Sequence, residues 1–314
     1  MRDELTLPLR AHKRENMYHI IINSNRIKGR AVRKLEAVKN VFDRAGKKYC
    51  LYFTQYAGHA RDIAAELTRG NEKVSIIAMG GDGTLHEVLN GIRDISLCEL
   101  GIIPAGSGND FAAAIGIPAD AKYAAQIIAF KAPSKIDYIE LSSGLRSINA
   151  VGCGMDADII KNVMKSDKLG KSKYIFGFLK SVFTYKARPF TIIREDGTAT
   201  DYNGLLACLG NGCQIGAGIK LFPEAQVDDG FMDFLIVDYI SPFRALIAFI
   251  KLFFGKLDTV KGVTKIRCRK ATIIPRCEKI TVQAEGELYE TEGGYPLTAE
   301  LVRGKLLFYL PHND

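Results

Sequence analysis

Residues 80–91 read GGDGTLHEVLNG, with Gly80, Gly81 and Gly83 set around Asp82 directly after the apolar run Val74 to Met79. Glycine lets a backbone turn tightly and approach a ligand closely, and amides at such a turn can cradle a phosphate. The apolar periodicity that follows, Leu85, Val88, Leu89 and Ile92, predicts a helix opening near Thr84, with Glu87 close to its positive end. A helix N-terminus adds its own free N–H groups to an anion site. Asp82 is the unexpected member, because a carboxylate repels phosphate unless a cation bridges them or it handles a proton. The plain alternative is an aspartate that caps the helix.

A second turn of the same kind follows the apolar segment Leu100 to Ile103: Pro104-Ala105-Gly106-Ser107-Gly108-Asn109-Asp110-Phe111. Two such loops at the ends of adjacent strands can face one ligand. Asp110 could hold a divalent ion with water and phosphate oxygens, as Mg²⁺ prefers, or it could cap the next helix. Far along the chain Glu285-Gly286-Glu287, with Glu290 and Glu292, reads either as a solvated acidic loop or as the source of a general base. A glutamate with a reference pKa near ~4.3 is ionised at neutral pH and acts as base when held within reach of an alcohol.

These loops need elements to hold them. Strands expected at 19–22, 49–54, 74–78 and 100–103 alternate with helices at 31–45, 57–67, 84–92 and 122–130, which implies a parallel sheet with ligands at the carboxyl ends of its strands. Beyond Lys135 the texture becomes short alternating runs, among them 136–141, 190–194, 205–209, 232–237, 271–274, 279–283 and 305–310, the spacing of antiparallel strands. The expected fold is α/β plus all-β: an N-terminal Rossmann-like parallel α/β domain over 18–137, then a C-terminal antiparallel β-sandwich domain over 138–314. Residues 1–17 read as a flexible basic extension. Asp228-Asp229-Gly230 reads as a hairpin turn.

The 314 residues are 47% hydrophobic and 25% charged, ordinary globular composition. Lys plus Arg number 43 against 35 for Asp plus Glu, a net +8 compatible with a nucleotide, an anionic membrane or a nucleic acid. Seven cysteines form no C-x-x-C pair and have no histidine at ligand spacing, so they read as reduced thiols of a cytoplasmic protein. The N-terminus lacks the apolar core of a signal peptide, and no run of roughly 18 uncharged apolar residues suggests a spanning helix. The segment 241–257, SPFRALIAFIKLFFGKL, spaces Phe243, Leu246, Ile247, Ile250, Phe253, Phe254 and Leu257 at helical intervals with Arg244, Lys251 and Lys256. It suits either a membrane interface or the flank of the sandwich. Basic and aromatic residues interleave over 165–188, yet no nucleic-acid module accompanies them, and no nucleic-acid partner is expected.

GGDGTLHEVLNG followed by GSGNDF resembles the catalytic domain of diacylglycerol kinases and related bacterial lipid kinases, within a superfamily that includes sphingosine, ceramide and NAD kinases. LGNG at 209–212, FPEA at 222–225, VDDG at 227–230 and Glu285-Gly286-Glu287 stand in the family's order, so the resemblance runs from about Tyr18 onward. It implies ATP-dependent phosphorylation of a lipid hydroxyl with Mg²⁺, the nucleotide lying between the two domains. Carried over by position, it makes Glu287 the general base, with Asp82 and Asp110 as companion acids. Nucleotide contacts would come from Asn23, Ser24, Asn25, Arg26, Ile27, Lys28, Thr54, Gly80, Gly81, Gly83, Thr84, Glu87, Gly106, Ser107 and Asn109. A structural Mg²⁺ would be held by Gln226, Asp229 and Phe231, with Asp137 linking its water network to the active site. The chain departs from the pattern at Ser24 and Ile27, where proline and glycine are usual, and at Glu285, where aspartate is common. His86 replaces a frequent asparagine and reads as a helix-surface residue. The resemblance also implies a lipid acceptor, transient contact with a membrane surface from the cytoplasm, and leaves a homodimer open. NAD kinase, or a non-catalytic lipid or nucleotide sensor, is the alternative reading.

Overall fold

The computed structural model describes residues 17–24, 30–164, 172–216, 218–254, 256–277, 279–292 and 295–311. The expected extension up to Asn16 and the expected nucleotide contacts Asn25, Arg26, Ile27 and Lys28 lie outside the described residues.

The first half alternates β1 (Met17–Ile22), α1 (Arg30–Arg44), β2 (Lys48–Phe53), α2 (His59–Leu67), β3 (Val74–Gly80), α3 (Asp82–Gly91) and β4 (Cys98–Pro104). The short α4 (Asp110–Ala114) and α5 (Ala121–Phe130) follow. β2, β1, β3 and β4 lie side by side and parallel, with Ile20 opposite Ile77 and Ile77 opposite Gly101. Such strands are covered on both faces and therefore read as unbroken apolar runs. Ile20, Ile77 and Ile102 are fully buried, each contributing roughly 1.5–3 kcal/mol. α1 turns Val38, Val41 and Phe42 onto this sheet, and the Tyr18 ring meets Phe42 edge to face at 5.1 Å.

The second half is mostly antiparallel: β5 (Ser134–Leu141), β6 (Arg146–Ser147), β7 (Ala150–Gly154), β8 (Arg188–Arg194), β9 (Ala199–Gly210) and β10 (Met232–Asp238). Then come β11 (Val263–Cys268), β12 (Lys270–Pro275), β13 (Lys279–Ala284), β14 (Glu287–Glu292) and β15 (Leu297–Phe308). A core of Ile139, Val151, Ile192, Leu209, Phe234 and Val282 fills the space between its strands. The architecture is thus an N-terminal parallel α/β part followed by antiparallel β-structure, as the alternation of the sequence predicts. β15 joins the two: it runs antiparallel to β5 and β12 and also lies parallel to β4.

Three helices interrupt the β-rich half: α6 (Met155–Met164), α7 (Ser172–Thr184) and α8 (Pro242–Phe253). α8 answers the expectation for 241–257, opened by Ser241 as cap and Pro242 in the first turn. α6 and α7 add to the β-rich half two helices that the sequence reading did not place. Their apolar residues build a separate cluster with β9 and β10, in which Phe178 stacks on Phe249 at 3.9 Å. Asp228-Asp229-Gly230 does turn, and β9 and β10 on either side pair antiparallel, but the connection between them is far longer than a tight hairpin turn.

Candidate active site

Strand, glycine turn and helix follow one another at residues 74–91. β3 ends on Gly80, whose carbonyl accepts from the N–H groups of Ala105 at 2.7 Å and Gly106 at 3.2 Å, so the second loop is hung on the end of the first strand. α3 starts at Asp82 with Gly81 as its cap and no side chain serving that role. Its first-turn amides are left to a ligand. Asp82 does not cap its own helix: Oδ1 accepts from Phe111 N–H at 3.1 Å, on α4. Asp110 accepts from Gly218 N–H at 2.7 Å. The other oxygens of both acids flank Gly108, 3.0 Å (Asp82) and 3.4 Å (Asp110) from where a Cβ would sit. The two carboxylates therefore converge across a residue without a side chain.

Asn109 fixes the second loop. It adopts the left-handed conformation at φ 55°, its Oδ1 accepting from Gly106 N–H at 2.9 Å and its Nδ2 donating to Gly106 C=O at 3.0 Å. Ser107 beside it is exposed. At the neighbouring strand ends Asn23 Nδ2 donates to Thr84 Oγ1 at 3.2 Å, Thr54 Oγ1 accepts from Ser24 N–H at 3.3 Å, and Ser24 Oγ donates to Thr54 C=O. Glu87 has different partners: its carboxylate accepts from Gly58 and Ala60 N–H at 3.0 and 3.1 Å, at the start of α2. That places it behind the first glycine loop as a brace.

The acidic turn is a two-residue hairpin between β13 and β14, with Glu285 at φ 55° and Gly286 at φ 83°, as a type I′ turn demands. Glu285 folds inward. Its Oε1 accepts from Ser147 Oγ at 2.5 Å, Asn149 N–H at 2.7 Å and Ile148 N–H at 3.0 Å. Burial pushes its pKa up to about 7 and the Asp82 charge adds to the rise, while the hydrogen bonds from Ser147 and Asn149 oppose it. Glu287 begins β14 on the solvent side, with Oε1 3.2 Å from where Gly83 would carry a Cβ. Desolvation and the Glu87 charge raise its pKa. His86 is buried rather than on the helix surface; its Nε2 bonds the Tyr289 hydroxyl at 2.6 Å, and burial lowers its pKa to about 4. That bond ties α3 to β14 and so holds Glu287 over the loop.

Asp82, Asp110 and Glu285 stand at one end of an apolar cavity. Phe178 of α7, Leu206 of β9, Leu235 of β10 and Ala248 and Phe249 of α8 line the rest, and its volume, counted to the open mouth, is about 1250 Å³. Asp156, at the start of α6, is also in the wall, and among the described residues neither of its oxygens has a hydrogen-bond partner. Its carboxyl lies against Gly152, where any side chain would collide with it. Burial pushes its pKa up to about 7.

The residues expected to hold a structural ion sit apart from this cavity. Asp229 accepts from Phe231 N–H at 2.9 Å through one oxygen and pairs with Arg267 through the other. Arg267 and Arg269 both stack on the Phe231 ring at 4.8 Å. Asp137 accepts from Gly304 N–H at 2.7 Å and Gly230 N–H at 2.8 Å. Each oxygen of both acids thus accepts from one protein donor, and the Arg267 guanidinium lies beside Asp229 and Phe231. Among the described residues no group of three or more His, Cys, Asp or Glu side chains converges as a metal site; the expected structural ion would instead rest on the Asp229 carboxylate with the backbone carbonyls of Gln226 and Phe231.

Ser147, Asn149, Asp156 and Gln283 escape sequence reasoning. They belong to no glycine motif and come together only because β7 and β13 pair, with Gly152 opposite Gln283 and Val151 opposite Ala284.

Fold and paired loops define a nucleotide-binding kinase fold of two parts. The profile of the diacylglycerol kinase catalytic domain matches residues 17–141, and that of the YegS C-terminal NAD kinase beta sandwich-like domain matches 149–309. The chain belongs to the diacylglycerol kinase-like family of lipid kinases. A diacylglycerol kinase of Bacillus subtilis strain 168 is 33% identical over 221 residues, 68% of this chain and 71% of the relative. Among solved structures, a diacylglycerol kinase from Bacillus anthracis superposes with a TM-score of 0.72 at 22% identity, covering 94% of this chain and 97% of that one. An NAD kinase from Archaeoglobus fulgidus in complex with ATP shares the fold at a TM-score of 0.54 and 15% identity, over 93% of each chain.

Proposed function

We propose that the protein transfers the γ-phosphoryl group of ATP to a hydroxyl of diacylglycerol or a related lipid. The observation that carries this reading is the placement of three acids and two glycine loops at the end of an apolar cavity. Phosphoryl transfer is chiefly positioning and charge neutralisation. Amides of Gly81 to Thr84 and Ser107 to Asn109 receive the phosphates. Mg²⁺ arriving with the nucleotide suits the converging Asp82 and Asp110 oxygens, which together with phosphate oxygens supply its preferred ligands and offset the phosphate charge. Glu287 accepts the hydroxyl proton as the acceptor oxygen bonds the γ-phosphorus, while the bond to the β,γ-bridging oxygen breaks and ADP leaves. Glu285 positions this turn through Ser147, Ile148 and Asn149.

Purified protein supplied with labelled ATP, Mg²⁺ and diacylglycerol in mixed micelles should yield labelled phospholipid. Formation of NADP from NAD, with no labelled product from any acceptor in a lipid panel, would sink the reading.

A further inference from the structure

α7 and α8 each present two apolar faces. Phe178 of α7 and Ala245, Ala248, Phe249 and Leu252 of α8 turn inward to wall the cavity. Their outer faces are also apolar. On α8, Phe243, Ile247, Ile250 and Phe254 recur at helical spacing along one stripe, with Phe243 73%, Ile250 58% and Phe254 72% exposed. On α7, Leu179 and Phe183 do the same, Phe183 being 68% exposed. None of these outer residues lines the cavity. Burying one face of a helix is ordinary, but leaving large aromatics open on the other is not, and contiguous exposed apolar surface marks a site of interaction.

The charges say what covers it. Neither helix contains an acidic residue, while α7 carries Lys180 and α8 carries Arg244 and Lys251. Lys186, Arg188 and Lys256 follow their ends; Asp238 and Asp258 lie beyond α8. A helix with an apolar stripe edged by basic side chains suits the plane of an anionic bilayer, where the apolar face sinks below the headgroups and the cations remain among them. Neither helix is long and apolar enough to cross a membrane.

We propose that the outer faces of α7 and α8 form one membrane-docking surface for an anionic phospholipid bilayer, from which a lipid acceptor passes into the cavity that these helices wall. The inference rests on the lipid-kinase reading for its cavity, but the surface is testable without it. The stripe would bring the cavity wall to the depth of the acyl chains, so that an acceptor need not leave the bilayer to reach Asp82, Asp110 and Glu287.

The test uses the full chain and the variant Phe243→Asp/Phe254→Asp, with Phe243→Leu/Phe254→Leu as the conservative control. Cosedimentation is measured with vesicles of phosphatidylcholine alone and of phosphatidylcholine mixed with phosphatidylglycerol. The wild type and the leucine variant should bind the mixed vesicles in preference, and the aspartate variant should bind them about tenfold more weakly or worse. The aspartate variant should keep wild-type turnover of a short-chain, water-soluble diacylglycerol while losing turnover of the same headgroup embedded in vesicles. Equal vesicle binding by wild type and aspartate variant overturns the proposal. So does a concentration-dependent dimer that the aspartate variant abolishes while vesicle binding is unchanged, since the stripe would then be covered by a second copy. Absence of turnover on every lipid would strike the kinase reading alone, leaving the sedimentation result to decide the surface.

Discussion

Gly106 and Gly81 meet backbone to backbone: a Cβ on Gly106 would lie 2.5 Å from the Gly81 Cα and 2.8 Å from Asn109 Oδ1. The two glycine loops are thus packed against each other, and neither can admit a methyl group without moving. Gly106→Ala should lower stability by about 1–3 kcal/mol, as overpacking of a tight site does, and should raise KM for ATP by displacing the amides. Denaturant unfolding and ATP titration of the rate check both. An unchanged KM would mean that the amides of this loop do not face the nucleotide.

Glu287 and Glu285 share a hairpin but should behave differently when neutralised. Loss of a general base typically costs about 10²–10⁴ in rate, so Glu287→Gln should depress kcat on that scale with KM for ATP little changed. Glu285→Gln keeps acceptors for Ser147 and the 148–149 amides, and should cost roughly tenfold at most. Steady-state kinetics on both variants would separate them, and a larger kcat loss for Glu285→Gln would move the base to that residue.

Asp156 should make the protein less stable as pH rises. Its folded pKa, about 7, lies above the ordinary aspartate value of 3.8, so between these pH values the unfolded chain has released a proton that the folded one retains. Stability then falls with rising pH over that window and levels off above it, by an amount on the order of 2–4 kcal/mol. Asp156→Asn removes this dependence. Its melting temperature should match the wild type near pH 4 and exceed it at pH 8. Parallel melting curves for the two proteins across this range would contradict the assignment.

Arg267 should make a divalent ion unnecessary beside Asp229. Addition of Mg²⁺ or of a chelator should leave the melting temperature of the nucleotide-free wild type unchanged. Arg267→Ala frees one carboxylate oxygen and should introduce a saturable stabilisation by Mg²⁺, as ligand linkage requires. A saturable Mg²⁺ effect in the wild type that disappears in Asp229→Asn would mean that the ion displaces the guanidinium.

The parallel half was legible because unbroken apolar strands and helical periodicity both report burial locally. Val74 to Gly80 followed by the Asp82 helix is such a case. The family motifs also brought attention to Asp82, Asp110 and Glu287, whose placement follows from strand ends. α7 was missed because its sequence, SKYIFGFLKSVFT, is apolar on two faces and carries no helix signal distinct from a mixed basic and aromatic run. His86 looked like a surface residue because nothing in α3 announces that Tyr289, some two hundred positions later, will cover it. Asp156 carries no signal at all. An acid following glycines reads as a turn, and only the closing of β7 on β13 buries it.

β15 has a consequence for the order in which this molecule can be made. β4 is flanked by β3 on one side and β15 on the other, so the parallel sheet keeps an open edge until residues 297–308 have been synthesised. An unpaired edge is a template for wrong partners. The β4 edge of the first half is therefore covered only once β15, about two hundred residues further along the chain, has been made, while β2 remains an edge of the folded sheet.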